Sequence, residues 1–420
     1  MEAREPAGDE TENLSGAELQ ADQPGFGKGL PPVGNKELRR AETLEDSYHG
    51  MILPLAENVD VGAPLCQRCE VVPEPVRGPG VLHLHLPHTH TLGKVLGLLA
   101  ASGWAYEERG GAVGVHAPRG SLAPLLSPLD NLLTFPEKRD ARVVFQHDGR
   151  VVSLSDYFEA QPWTAFVARE RAAWLLDVMR ERCLYGVFQP IVGLRGQDAG
   201  LYGHEGLLRA RVDGREVGAG AILDMARAAD LTFQVDLYAR RAVITDAARY
   251  GLAKYGPRAR LFVNFSPNAI YEPKSCLRST VKLLDELGFA RDQVVFEIVE
   301  SERLPDLALL KRIVGYYREH GFEVALDDVG AGYSSLSVLL DLRPDYAKID
   351  RALVSGVDAS PERAKVVRNL IETAHAIGAR AILEGIEREE ELIWARDNGA
   401  DFAQGYLIAK PAAPPPFPRI

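Results

Sequence analysis

Basic charge, cysteine and long apolar runs are all scarce in this chain, and each scarcity excludes something. Lys and Arg number 48 against 59 Asp and Glu, for a formal charge of −11. That balance argues against gripping a nucleic-acid duplex, whose phosphates demand a basic face. A small anionic ligand stays allowed if metal ions neutralise its site. The four cysteines, Cys66, Cys69, Cys183 and Cys276, are too few and too unevenly spaced for a disulfide framework, and they suit a reducing compartment. No stretch approaches the apolar length that crosses a bilayer. The acidic opening MEAREPAGDETENLSG lacks the basic and apolar parts of a secretory leader. The expectation is a cytoplasmic protein with no membrane partner. No Gly-rich dinucleotide fingerprint follows the first strand of the larger half, which argues against a doubly wound open sheet.

What is present is ordinary for a folded protein: 46% apolar and 25% charged residues, in a 420-residue chain with room for one large and one smaller domain. Residues 1–60 are rich in Glu, Asp, Gly and Pro without a sustained apolar period, and are expected to be disordered or loosely packed. Strand-like and helical patterns over 61–155 predict a small α+β module of regulatory or sensory kind. It contains the pair Cys66 and Cys69 and the cluster His83, His85, His88 and His90. His83 and His85 share one face of a strand, so a Zn2+ site is one reading. A tight turn beside partly exposed strand histidines is the other, and the non-standard spacing favours it.

Trp163, Phe166, Val167, Trp174, Leu175 and Val178 fall at helical spacing and predict a connecting helix within 156–182. From 183 to 412 the pattern becomes regular. Strand-like segments occur at 185–192, 201–210, 261–266, 294–299, 322–329, 346–350, 380–386 and 401–408. Helical stretches lie at 276–287, 307–320, 362–377 and 389–398, with room for two more between 219 and 250. This predicts an α/β fold, a (β/α)8 barrel whose first two strands have no helix between them. The Pro-rich tail, 413–420, cannot continue any element.

In such a barrel the chemistry sits at the C-terminal ends of the strands. Those ends carry Glu205 and Arg209, Asn264 and Ser266, Glu297 and Glu300, Asp327 and Asp328, Lys348 and Asp350, Glu384 and Glu387, and Gln404. Any one alone is most simply a surface polar residue; their convergence from so many strands is not. Hard divalent cations take oxygen ligands, and carboxylates with one amide oxygen make a suitable cage. An Asp between two ions can bridge them, and a two-ion site holds both a nucleophilic water and a leaving oxygen, as phosphodiester hydrolysis requires. Lys348 can orient or activate the water, and Arg209 can fork onto a phosphate.

The motifs, taken in order, resemble the EAL domain family of bacterial cyclic-di-GMP phosphodiesterases over residues 182–411. They are Gln189-Pro-Ile, Glu205-Gly-Leu-Leu-Arg209, Asn264-Phe-Ser266, Glu297-Ile-Val-Glu300, Asp327-Asp328 with a GxGYSSL continuation, Lys348-Ile-Asp350, Glu384-Gly-Ile-Glu387 and Gln404-Gly-Tyr. The resemblance implies a modified TIM barrel that hydrolyses one phosphodiester bond of cyclic-di-GMP to linear pGpG. It implies two Mg2+ or Mn2+ ions and a homodimer formed near the fifth-strand loop. Glu205, Asn264, Glu297 and Asp327 would hold one ion, with Asp327 bridging to a second held by Asp328 and Glu384. Lys348, Glu384 and Glu205 would carry catalysis. Glu300 would anchor the loop after the fifth strand, and Gln189, Leu207, Arg209 and Gln404 would lie at or near the substrate.

Three positions depart from the family pattern: Gly206 replaces the Ala of the naming motif, and Val329 and Ala331 stand where Phe and Thr are usual. None removes a ligand. Gly206 is expected to loosen its strand. Val329 is expected to weaken the loop that couples dimerisation to metal binding. An inactive receptor for the dinucleotide, a protein-interaction module, and another metal phosphoesterase on the same barrel are the competing readings. The complete set of metal ligands favours the enzyme.

Overall fold

Alternating apolar residues build two sheets. The computed structural model describes residues 70–418, apart from 74–75, 151–157, 159, 255–258, 299–306 and 331–335. Cys66, Cys69, Glu300 and Ala331 lie outside the described residues, as does the whole of 1–60.

The first sheet is antiparallel and consists of β1 (Arg77–His85), β2 (Tyr106–Arg109), β3 (Ala112–Ser121), β4 (Arg142–His147) and β5 (Gln161–Pro162), ordered β2-β3-β1-β4-β5. Leu82 and Leu84 of β1, Val113 and Val115 of β3, and Val143 of β4 are its buried positions. They pack with Val95 and Leu99 of α1 (Thr89–Ala101) and Leu125, Leu126 and Leu129 of α2 (Ala123–Leu132). A short α3 (Phe135–Asp140) follows, capped by Glu137.

The expected single connecting helix is two helices, α4 (Trp163–Arg171) and α5 (Ala173–Arg180), broken at Ala172. The two halves serve different cores. Trp163, Phe166 and Val167 complete the core of the first sheet. Leu175, Leu176 and Met179 instead pack with Leu208, Ala210 and Ile222 on the flank of the second. Asp130 of α2 fixes α4 by accepting from Trp163 Nε1 and Arg171, each at 2.9 Å.

The second sheet comprises β6 (Leu184–Gly193), β7 (Gly200–Val212), β8 (Arg215–Gly218), β9 (Arg260–Phe265), β10 (Val294–Ile298), β11 (Glu323–Val329), β12 (Tyr346–Ile349), β13 (Arg380–Leu383) and β14 (Phe402–Ala403). All but β8 close into a barrel through the β6–β7 pairing. β6 is antiparallel to both neighbours, and the other neighbouring barrel strands run parallel. The helices α6 (Ala219–Ala228), α7 (Thr232–Arg249), α8 (Pro273–Cys276), α9 (Arg278–Glu286), α10 (Leu307–Glu319), α11 (Leu336–Leu342), α12 (Arg351–Val354), α13 (Pro361–Ala376) and α14 (Glu389–Asp397) lie between strands; the short α8, α11 and α12 are not among the helical stretches read from sequence.

Because side chains alternate along a strand, the barrel interior is layered. One layer takes a side chain from every barrel strand: Ile191, Tyr202, Phe262, Val295, Ala325, Tyr346, Ile382 and Phe402. Two residues before three of these stand Arg260, Glu323 and Arg380. Arg260 and Arg380 pair with Glu323 at 2.9 and 3.0 Å and close the N-terminal end. Two residues beyond the apolar layer lie the groups of interest.

The β6–β7 hairpin has no crossover helix to cover its outside. Val243 of α7 does part of that work, lying so close that a Cβ added to Gly206 would fall 2.2 Å from its Cγ1. Gly206 is therefore a close-approach position, filled from the helix side, rather than the loose point expected from sequence. The C-terminal tail covers the rest. Ala412 exchanges backbone hydrogen bonds with Phe188 at 2.9 and 3.0 Å. Buried His204 bonds the Pro416 carbonyl at 2.7 Å, with the Phe417 ring against its own.

Candidate functional site

The layer above the apolar one presents Gln189, Glu205, Asn264, Glu297, Asp327, Lys348, Glu384 and Gln404, one residue from each barrel strand or its C-terminal extension. On β6, which runs the other way, the step from Ile191 leads back to Gln189. On β7, an irregular register opposite Ile191 and Val192 makes the step from Tyr202 to Glu205 three residues.

Lys348 stands at the centre, fully buried. Its ammonium lies 2.7 Å from Glu384, 3.0 Å from Glu297, 3.2 Å from Asp327 and 3.3 Å from Glu205. Glu205 is the best satisfied of the four acids. It also accepts from Asn264 Nδ2 at 2.9 Å and Gln404 Nε2 at 2.8 Å. Gln404 Nε2 donates as well to Gln189 Oε1 at 3.2 Å, and Gln189 Nε2 donates to the Ala409 carbonyl. Glu297 is the opposite case. It is completely buried, and while its Oε1, like Asp327 Oδ1, faces the Lys348 ammonium, its Oε2 receives no hydrogen bond among the described residues. A buried carboxylate oxygen without a partner is costly unless something cationic meets it.

Regular alternation would send Asp327 and Asp328 to opposite faces of β11. The strand instead has a register shift between Leu326 and Val329, and Asp328 adopts a left-handed backbone with φ 54°. This bulge lets both acids serve one site. Ligand oxygens of Asp327, Asp328 and Glu384 lie within 4.8 Å of one another, the one such grouping of three acid, His or Cys side chains among the described residues.

The electrostatics follow from burial and crowding. For Glu205, burial favours the neutral form, but Lys348, Asn264 and Gln404 outweigh it and hold the carboxyl below its ordinary value. Burial and the neighbouring Glu205 push Glu297 well above the ordinary range, and burial raises Asp327 too. Burial, with Asp327 adding, pushes Asp328 up to about 7. Burial is also the first cause that lifts Glu384 to about 8. Burial disfavours the charged form of Lys348, but four carboxylates reverse this and keep it protonated. With all five carboxylates ionised against one ammonium the site would carry four negative charges, which two divalent cations would balance, and without cations the raised acids relieve that charge by holding protons. The donor set therefore fits hard cations with oxygen ligands.

The EAL domain family matches residues 172–411. The chain belongs to the EAL domain family. Among curated relatives, the probable cyclic di-GMP phosphodiesterase PdeG of Escherichia coli (strain K12) is 31% identical over 53% of this chain and 44% of its own length. The probable cyclic di-GMP phosphodiesterase PdeB of the same organism is 29% identical over 56% of this chain and 44% of its own length. The chain thus spans under half the length of either relative. Among solved structures, the Xanthomonas citri FimX EAL domain in complex with c-diGMP superposes with a TM-score of 0.53. It is 18% identical and covers 60% of this chain and 97% of that chain. The Pseudomonas aeruginosa FimX EAL domain bound to c-di-GMP gives a TM-score of 0.51 at 24% identity, over 57% of this chain and 95% of that chain. These likenesses show the fold.

Other EAL signature positions lie outside the Lys348 cluster. Arg209 on β7 is tied to the Leu208 carbonyl at 2.8 Å and to Glu216 of β8 at 3.4 Å. Leu207 pairs with Val187 across β6 and β7 and is half-buried. Asp350 caps α12 by accepting from Ala352 N, and Glu387 pairs with Arg351 at 2.8 Å. Val329 is buried in the main core and pairs with Ile349. In the first sheet, His83 bonds Gln146 at 2.8 Å, His85 is exposed, His88 meets Asp140 and His90 meets Glu137. Two residues that no motif marked are the buried pair Asp236 and Arg240 of α7, of which Asp236 accepts the backbone N–H of Ser266, two residues beyond Asn264. Their only sequence signal was an acid and an arginine four residues apart on one face of a helical run that also carries Arg241, Asp246 and Arg249.

Proposed function

We propose that this EAL domain hydrolyses one phosphodiester bond of cyclic-di-GMP to linear pGpG. The observation that carries the reading is the ring around Lys348, in which two buried and two half-buried carboxylates surround one ammonium and Glu297 Oε2 is left without a partner. Glu205, Asn264, Glu297 and Asp327 would hold one Mg2+ or Mn2+ ion, and Asp327, Asp328 and Glu384 a second. When bound, such ions supply an activated water and neutralise charge on the phosphate.

The chain's own groups do the rest. Lys348 keeps its proton in this field, so it acts as a hydrogen-bond donor that orients the nucleophile and not as its base. Glu384 and Asp328 carry protons near neutrality unless a cation displaces them. Gln404 and Asn264 fix Glu205 in one rotamer from both sides. Gln189, beside Gln404, and Leu207 and Arg209, further along β7, form the side on which the dinucleotide would lie. Arg209 has to trade Glu216 for a phosphate oxygen to reach it. Control by the first sheet through α4 and α5, a homodimer, and a cytoplasmic location belong to the same proposal. No helix of the described residues is long and apolar enough to cross a membrane.

The test is incubation of the full chain with cyclic-di-GMP and Mg2+ or Mn2+, with products separated by chromatography. Formation of pGpG by wild type and its loss in Glu205→Ala support the proposal. Tight binding without product would identify a receptor instead.

A further inference from the structure

We propose that Asp236, held by Arg240, is a positioning residue for Asn264 and acts through the main chain of Ser266. The inference rests on the reading of Asn264 as a cation ligand. Asp236 and Arg240 sit four residues apart on α7, each almost wholly buried. Asp236 Oδ1 accepts the backbone N–H of Ser266 at 2.8 Å, while Arg240 Nη1 donates to the other carboxylate oxygen. Arg240 Nε also donates to Thr280 Oγ1 of α9 at 3.3 Å.

Ser266 is the first residue beyond β9 and two beyond Asn264. Among the described residues the β9–β10 ladder runs to Phe265 opposite Ile298, and the next donor, Ser266 N, bonds to Asp236. A half-buried N–H at a strand end needs an acceptor, and Asp236 supplies it. The following Pro267 has no N–H with which to extend the strand. Asn264 donates its Nδ2 to Glu205, which leaves its amide oxygen as the group available to a cation. A sideways shift of the strand end would move that oxygen directly.

Stability alone does not explain a charged pair here. A buried ion pair is commonly replaceable by apolar residues of similar volume without loss. A need for an acceptor of fixed direction at the strand end does explain it, since a pre-ordered carboxylate supplies one where an apolar pair cannot.

The experiment is calorimetric titration of the metal-free full chain with Mn2+ alone, with the thermal midpoint recorded for each variant. Asp236→Asn keeps an acceptor oxygen at the same place. Asp236→Leu combined with Arg240→Met removes both charges and orphans neither. Glu297→Gln controls for the reading of the site itself. The double variant is expected to stay folded, with its thermal midpoint lowered by no more than a few degrees for the lost Ser266 acceptor, but to bind Mn2+ about 10–100-fold more weakly, the usual effect of losing an outer partner of a metal ligand. Asp236→Asn is expected to stay within roughly threefold of wild type, because its acceptor survives. Wild-type affinity in the double variant, with affinity lost in Glu297→Gln, overturns the positioning role alone. Unchanged affinity in Glu297→Gln overturns the reading on which it rests. Should the double variant not fold, Asp236→Glu replaces it, since it keeps the ion pair but displaces the acceptor. It should bind Mn2+ more weakly than Asp236→Asn, and the reverse order refutes the proposal.

Discussion

Replacing Gly206 with Ala restores the residue usual in the EAL naming motif, and here that restoration should destabilise the protein. A Cβ at 206 would lie 2.2 Å from Val243 Cγ1 and 3.5 Å from Val243 Cβ. Val243 cannot step aside cheaply, because a β-branched side chain in a helix has one strongly preferred rotamer. Either α7 or β7 must move, and overpacking of this kind costs about 1–3 kcal/mol. Val243→Ala alone opens a cavity in a fully packed region and should cost about 1.5–3 kcal/mol. In the double variant the new methyl at 206 occupies space that Val243 vacates. Its cost should therefore fall short of the sum of the single costs by about 1–3 kcal/mol.

The assay is urea unfolding of the metal-free chain for wild type, both single variants and the double variant, comparing midpoints at constant slope. For a domain of this size, 1 kcal/mol corresponds to a thermal shift of about 2–4 °C, so the singles are easily resolved. An unchanged midpoint for Gly206→Ala, or strict additivity in the cycle, would refute the packing argument. Because β7 also carries Glu205, the single variant should weaken Mn2+ binding, and the compensated double should recover most of it.

Further outcomes follow from the same geometry. Glu384 and Asp328 have folded-state values near 8 and 7, above their ordinary ones. From about pH 4 up to those values the folded state holds more protons than the unfolded, so metal-free stability should fall as pH rises through that window. Cations compete with those protons, so the thermal shift on adding Mn2+ should be larger at pH 8 than at pH 6; an equal shift would count against the assignment. Lys348→Met should keep or strengthen Mn2+ binding while lowering pGpG formation about 10²–10⁴-fold. Near-normal turnover in that variant would remove Lys348 from the chemistry. Deleting residues 412–420 takes away two backbone hydrogen bonds to Phe188 and the cover over His204, and should cost about 2–4 kcal/mol by unfolding assay. A neutral deletion would show the tail to be dispensable.

Much of the barrel could be read from residue order alone. Period-two apolar runs followed by polar ends marked each strand, and helical spacing marked most connections, because burial on one face imposes those repeats locally. Most of the polar groups that now ring Lys348 were legible for the same reason, sitting one alternation beyond a buried residue, with Glu205 displaced by the irregular register of β7. The break at Ala172 was not legible, since the spacing of Trp163, Phe166, Val167 and Leu175 is compatible with one helix. The choice depends on which of two cores each half meets.

Sequence by itself determined the family, the strand order of the chemistry and the identity of the acids. Tertiary structure decided how those acids share charge. Only the closed barrel puts Lys348 within reach of four carboxylates from four other strands, and only a bulge at Asp328 turns two adjacent acids to one site. It also decided the meaning of Gly206, because whether a missing methyl is slack or a socket depends on a helix some forty residues away. The physical reason is common to all three. Alternation and propensity are written along the chain, whereas burial, field and contact are sums over neighbours that the chain meets only after it closes.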